Sequence, residues 1–129
     1  MEKIRVGICG LGSMGMHHAL MLVKHENVEL VAAADMEEAK RRRAKDELNV
    51  SHIFADGREM IRSVELDAVW VCAPTYLHAE LTVQALEKGC HVFCEKPMAR
   101  SEEECAAMQA MCDFLFLSAH GVCCGGYFL

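Results

Sequence analysis

Residues 4–15 read Ile-Arg-Val-Gly-Ile-Cys-Gly-Leu-Gly-Ser-Met-Gly. Ile4–Cys9 is a short, mostly apolar run ended by glycine, the pattern of a strand buried on both faces of a parallel sheet. Gly10-Leu11-Gly12-Ser13-Met14-Gly15 follows in G-x-G-x-x-G spacing, and Met14–Lys24 then reads as a helix. In a strand–loop–helix unit that holds a pyrophosphate, each glycine has its own task. Gly10 makes the tight turn, Gly12 lets the backbone approach the phosphates, and Gly15 lets the helix pack closely on the strand. The helix start adds free N–H groups and the positive end of a dipole. The alternative is a plain glycine-rich turn, but a motif placed between a strand and a helix favours the phosphate loop.

The next strand supplies the second half of the argument. Val28–Ala34 is a second buried run, and Asp35 closes it 25 residues beyond Gly10. A carboxylate there can accept hydrogen bonds from both hydroxyls of an adenine ribose. It also repels a 2′-phosphate: at about 4 Å and an effective dielectric of about 20, each unit charge pair costs roughly 4 kcal/mol before screening. Arg41–Arg43 offset this only if one of them turns toward the ribose. NAD is therefore the expected cofactor, ahead of NADP. The other reading of Asp35, a helix cap before Met36, is compatible with the first.

Beyond Asp35 the alternation continues. Glu37–Leu48 is a charged helix with Ala39, Ala44 and Leu48 able to face inward, and His52–Phe54 is a third, short strand. Asp56 caps the next helix, with Glu59 completing a capping box. Asp67–Cys72 is a fourth strand stopped by Pro74, Leu77–Lys88 a helix ended by Gly89, and His91–Cys94 a fifth strand. Ser101 and Glu104 form a second capping box for a helix to about Cys112, and Phe114–Ser118 is compatible with a further strand. Strands alternating with helices over short connections predict an α/β doubly wound parallel sheet, the Rossmann arrangement.

Composition narrows the functional classes. A length of 129 residues suits one domain. A net charge of −6 without a basic stripe argues against a nucleic-acid partner; the cationic run Lys40–Arg43 is flanked by acids and reads as a solvated helix face. The apolar stretch 4–23 is broken by Arg5, His17, His18 and glycines, which makes it a poor signal or membrane segment. His17 and His18 read as helix surface. The eight cysteines read as free thiols, since Cys9, Cys72 and Cys94 sit in apolar runs where cysteine packs as a small hydrophobe. Cys90 and Cys94, four apart on a strand, lie roughly 10 Å or more apart and cannot share a zinc, so no metal is expected. Together these predict a cytoplasmic protein with neither a nucleic-acid nor a membrane partner.

A second constellation sits where the ligand crevice of an open α/β sheet opens. Residues 71–78 read Val-Cys-Ala-Pro-Thr-Tyr-Leu-His, and residues 89–99 read Gly-Cys-His-Val-Phe-Cys-Glu-Lys-Pro-Met-Ala. Lys96, beside Glu95 and a rigid proline, is a candidate to polarise or deprotonate an alcohol, given partial burial; the alternative is a surface ion pair. On these segments and the glycine loop, residues 3 to about 113 resemble the N-terminal half of the glucose–fructose oxidoreductase / inositol dehydrogenase family (Gfo/Idh/MocA). The resemblance implies NAD- or NADP-dependent oxidation of a sugar, cyclitol or related polyol. It implies Lys96 near the nicotinamide and substrate hydroxyl, Glu95 and Ala73-Pro74-Thr75 lining the nicotinamide half, and Ser13 and Met14, with Leu11 in the same loop, meeting the pyrophosphate. His78 matches a histidine common in the family, with packing or capping its helix as the other reading.

The resemblance implies a second, α+β domain in members of that family, which supplies the rest of the substrate pocket and which is not expected among these residues. The expected organisation is an NAD-binding domain over 1–118 and an atypical tail over 119–129. On this reading a truncated gene, a frameshift or a fragment is expected, with weak or no catalysis by the chain alone, and self-association through apolar surface left uncovered. Whether the chain is an enzyme stays open. The alternatives are a dinucleotide-binding module without catalysis and an offshoot that uses NAD transiently for glycoside cleavage.

Overall fold

Strands and helices alternate along the chain in the computed structural model: β1 (Ile4–Cys9), α1 (Ser13–Lys24), β2 (Val28–Ala34), α2 (Glu38–Leu48), β3 (His52–Phe54), α3 (Gly57–Ser63), β4 (Ala68–Val71), a 3-10 turn (Thr75–Leu77), α4 (His78–Glu87), β5 (His91–Cys94), α5 (Glu102–Leu115), β6 (Ala119–Cys123) and β7 (Gly126–Phe128). The structure describes residues 2–115, 119–123 and 126–128. The strands form one sheet in the order β3-β2-β1-β4-β5-β6-β7. β1 to β6 run parallel, and only β7 is antiparallel to its neighbour. Chain direction across the sheet reverses between β1 and β4, the switch point at which doubly wound sheets bind dinucleotides.

The apolar strand runs are explained by a core on each face. Val6, Ile8 and Leu30 pack with Met16, Ala19, Ala44 and Leu48 beneath α1 and α2. Cys9, Val69, Val71 and Val92 pack with Met60, Leu81, Ala85, Met98 and Met108 beneath α3, α4 and α5. Strands covered on both faces have no solvent side and so show no alternation of polar and apolar residues.

Several local expectations need adjustment. Ala39 is exposed, and α2 buries only Ala44 and Leu48. Asp56 caps α3 as expected, but by accepting the Arg58 N–H and not the Glu59 N–H that the expected capping box would use. At α5 the Ser101 hydroxyl accepts the Glu104 N–H at 3.1 Å, but the Glu104 carboxylate reaches the Arg100 N–H and guanidinium instead of closing the box on Ser101. Phe114 belongs to α5, not to a strand. No glycine or proline interrupts residues 102–120, so nothing local ends the helix at Cys112. The part of the expected strand at 116–118 lies outside the described residues. The next strand, β6, begins at Ala119 and pairs with β5 through Val92 and Phe93. β6 and β7 thus lie within the stretch expected as an atypical tail.

Candidate functional site

The carboxyl ends of β1, β2, β3 and β4 enclose a cavity of about 560 Å³. Gly10, Gly12, Asp35, Ala73 and Pro74 from the sequence-derived set line it, joined by Glu37, Lys40, Gly57, Arg58 and Tyr76. None of those five was expected at the site; the sequence reads Lys40 as part of a solvated helix face. The turn after β3 becomes visible as part of the site only when β3 is known to flank β2.

The three loop glycines answer three different constraints. Gly10 has φ +95°, and a Cβ there would lie 2.4 Å from the Cys72 carbonyl carbon. A Cβ at Gly15 would lie 1.9 Å from the Gly10 carbonyl oxygen. Gly12 differs: its φ is −70°, and a Cβ there would meet only Lys40 Nζ, at 3.9 Å. Gly10 and Gly15 are thus required by the fold, whereas the space over Gly12 is open on the cavity side. Gly12 is also the N-cap of α1, whose first turn carries no acidic side chain and no side-chain cap, so its first N–H groups remain available to an anion. A dinucleotide pyrophosphate fits this cradle.

Asp35 is half-buried and fixed at both oxygens. Oδ2 accepts the Leu11 N–H at 2.8 Å and Oδ1 the Glu37 N–H at 2.8 Å. The carboxylate ties the glycine loop to the start of α2, so the capping role and a ligand role coexist, each oxygen retaining acceptor capacity toward the cavity. Arg41 donates to the Asp35 and Met36 carbonyls, Arg42 to Glu38 and Arg43 to Glu47. Lys40 pairs with Glu37 at 3.4 Å, and Arg58 with Asp56 and Glu80 at 3.1 Å each. Every cation near the ribose end already has an acidic or carbonyl partner.

At the β4 and β5 exits, His78 is 2% exposed. Its Nδ1 lies 2.7 Å from the Pro97 carbonyl and its Nε2 2.6 Å from the Ala73 carbonyl. The ring thus joins the Ala73-Pro74-Thr75 turn to the segment after β5, and it reaches the cavity only through the backbone it holds. Lys96 is exposed, and its peptide bond to Pro97 is cis. Any desolvation of the ammonium has to come from what binds above it. Glu95 Oε1 accepts the Lys96 N–H at 3.0 Å, and Oε2 lies 2.8 Å from His18 Nε2. Burial acts to raise the Glu95 pKa, but the hydrogen bonds from the Lys96 N–H and the His18 ring, with the charges of both residues, outweigh it and hold the carboxyl below its ordinary value. His18, expected on the helix surface, is therefore half-buried and joined to this loop. Ser13 and Met14 are exposed at the start of α1, and the Leu11 side chain is buried in the core.

The thiols divide into two groups. Cys9, Cys72, Cys90 and Cys94 are free, and burial pushes Cys9, Cys72 and Cys94 up to about 12. They are neutral packing groups, not nucleophiles. Cys105 is disulfide-bonded, which departs from the expectation of free thiols throughout. Among the described residues, no cluster of histidine, cysteine or carboxylate side chains is placed to hold a metal ion, and no helix is long and apolar enough to cross a membrane.

An open switch point, a glycine cradle beneath a helix N-terminus and a fixed carboxylate after β2 define a dinucleotide-binding Rossmann domain. Residues 4–115 match the family model described as "Oxidoreductase family, NAD-binding Rossmann fold" (GFO_IDH_MocA), and the chain belongs to that family. It is 38% identical over 96 residues to a myo-inositol 2-dehydrogenase of Thermotoga maritima, covering 74% of this chain and 29% of that protein. It is 35% identical over 113 residues to a D-glucoside 3-dehydrogenase of Escherichia coli, covering 87% of this chain and 31% of that protein. Among solved structures, the scyllo-inositol dehydrogenase of Lactobacillus casei with bound NAD(H) and scyllo-inositol superposes with a TM-score of 0.88 at 32% identity, covering 93% of this chain and 36% of that one. The chain thus spans about a third of the length of these relatives.

Proposed function

We propose that the chain binds NAD in preference to NADP and forms the nucleotide-binding part of an oxidoreductase acting on the CH–OH of a sugar, cyclitol or related polyol. The observation that carries the cofactor reading is the arrangement of Asp35 and Gly12 on one cavity: a carboxylate fixed by two backbone N–H groups beside an open cradle over a helix start. Asp35 and Glu37 both line the cavity, so a 2′-phosphate there meets two carboxylates, and using Lys40 or Arg58 to offset them means drawing each out of its ion pair. Inositol and glucoside dehydrogenases among the relatives support the polyol class.

NAD, when bound, supplies the hydride acceptor. The residues of this chain do the rest of what their positions allow. The α1 N–H groups hold the pyrophosphate, Asp35 accepts the ribose hydroxyls, and the Ala73-Pro74-Thr75 turn and Glu95 border the nicotinamide half. Lys96 takes up or polarises the substrate hydroxyl proton. A cytoplasmic location accords with the neutral, buried thiols of Cys9, Cys72 and Cys94, while the Cys105 disulfide stands against it.

Calorimetric titration with NAD and NADP tests this reading. We expect NAD to bind more tightly, and Asp35→Ala to weaken NAD while narrowing the gap to NADP. Absence of heat and of thermal stabilisation with either nucleotide would overturn the reading.

A further inference from the structure

His18 joins two parts of the site that the sequence keeps 77 residues apart. It lies in α1, the helix whose N-terminus faces the phosphate cradle, yet its ring meets Glu95 at the end of β5. The two side chains are only 20% and 19% exposed. The ring is also seated: it lies 5.1 Å from the Phe93 ring, which stacks on Trp70 at 5.3 Å and 21°. Trp70 and Phe93 are register partners on β4 and β5, so the aromatic support spans both strands from which the nicotinamide half is built. Glu95 is held in its charged form, and a carboxylate only accepts, so Nε2 of His18 carries the proton between them. The other Glu95 oxygen holds the Lys96 N–H. Both oxygens of Glu95 are thereby fixed, one from the phosphate helix and one from the backbone of the lysine itself.

We infer that His18 is a positioning residue: its hydrogen bond to Glu95 fixes the Glu95–Lys96 backbone relative to the phosphate cradle, and so sets the nicotinamide half of the cleft against the adenosine half. The inference rests on the proposed cofactor reading. A ring that served packing alone would need its aromatic contacts and not its N–H. The hydrogen bond is the part that separates the two roles, since charge-assisted bonds are short and directional and place their partners.

The test compares NAD with ADP-ribose, which shares every part of NAD except nicotinamide. Both are titrated by calorimetry into the wild-type chain, His18→Phe, His18→Gln and Glu95→Gln, with melting temperature recorded for each. His18→Phe keeps a stacked ring without the donor; His18→Gln restores a donor without the ring. We expect His18→Phe to hold ADP-ribose within about twofold and to lose about tenfold for NAD, the scale of one charge-assisted hydrogen bond. His18→Gln should recover part of that loss, and His18→Phe combined with Glu95→Gln should lose no more than either alone. Equal losses for NAD and ADP-ribose, or no loss for NAD in His18→Phe, would overturn the inference. If His18→Phe does not fold, the NAD to ADP-ribose ratio in His18→Gln and Glu95→Gln decides: unchanged ratios in both would also overturn it. A wild-type chain that binds neither ligand would refute the cofactor reading itself, whereas one that binds both with an unchanged ratio in the variants would refute only the role of His18.

Discussion

Single residues in the glycine loop separate what the fold needs from what the ligand needs. A methyl at Gly15 would stand 1.9 Å from a carbonyl oxygen, and one at Gly10 would combine a left-handed φ with a 2.4 Å approach to backbone. Neither neighbour is a side chain that can swing aside. Gly10→Ala and Gly15→Ala should each cost on the order of 2 kcal/mol or more, read as a lowered denaturation midpoint. Gly12→Val should leave the melting temperature close to wild type, because only Lys40 Nζ lies near, and should abolish NAD binding by filling the cradle. A fully folded Gly12→Val chain that still bound NAD would show that the phosphates lie elsewhere. Lys96 supplies the opposite control. It is exposed and sits outside the cavity lining, so Lys96→Ala should keep the NAD dissociation constant within a few-fold of wild type. A large loss in that titration would place the ammonium on the phosphates, not on the substrate side.

Elements were legible in the sequence wherever one local rule decided them. β1, β2, β3 and β5 lie where the apolar runs put them, and the αL glycine at Gly89 ends α4 with φ +95° as expected. The site was legible where it is made of backbone geometry: a glycine spacing and an acid after a strand encode Gly10, Gly12 and Asp35. It was not legible where partners are brought together by the sheet. His18 looks like helix surface until β4 and β5 place Phe93 beneath it, and Gly57 and Arg58 join the cleft only through the β2–β3 pairing. Phe114 was misread because a run of Phe and Leu suits a strand or a helix equally, and no local breaker marks where α5 ends. His78 shows how elements are tied without sequence neighbours. Both of its ring nitrogens face carbonyl oxygens that can only accept. In either tautomer one ring N–H donates to one of these part-buried carbonyls, so His78→Phe keeps the ring volume but removes that donor, at roughly 1–3 kcal/mol. A chemical-denaturation midpoint equal to wild type would show that water replaces the ring nitrogens.

At the scale of the whole molecule, the pH dependence of stability rests on carboxylates held by hydrogen bonds, two across elements and two within a helix start. Asp67 accepts the Arg5 N–H and guanidinium, joining the starts of β1 and β4, and these bonds hold its carboxyl below the ordinary value. Asp56 is lowered by its bonds to Arg58, and Glu104 by its bonds to Arg100. Glu95 is lowered despite its burial by the Lys96 N–H and His18. In each case the folded chain binds its proton less readily than the unfolded chain does. The stabilisation is therefore fully present above the unfolded carboxylate range of about 4 and is lost as pH falls through the lower folded values. The melting temperature should hold from neutrality to about pH 5 and then fall steeply on further acidification. Asp56, Asp67 and Glu104 act near the surface, where salt screens them, whereas Glu95 lies mostly out of solvent. Raising ionic strength should thus flatten part of the acid slope, and Glu95→Gln should flatten a part that salt does not reach. Melting curves from pH 3 to 7 at low and high salt would reveal both contributions. A slope in Glu95→Gln identical to wild type at high salt would mean that the His18–Glu95 pair contributes nothing to the stability of the folded chain.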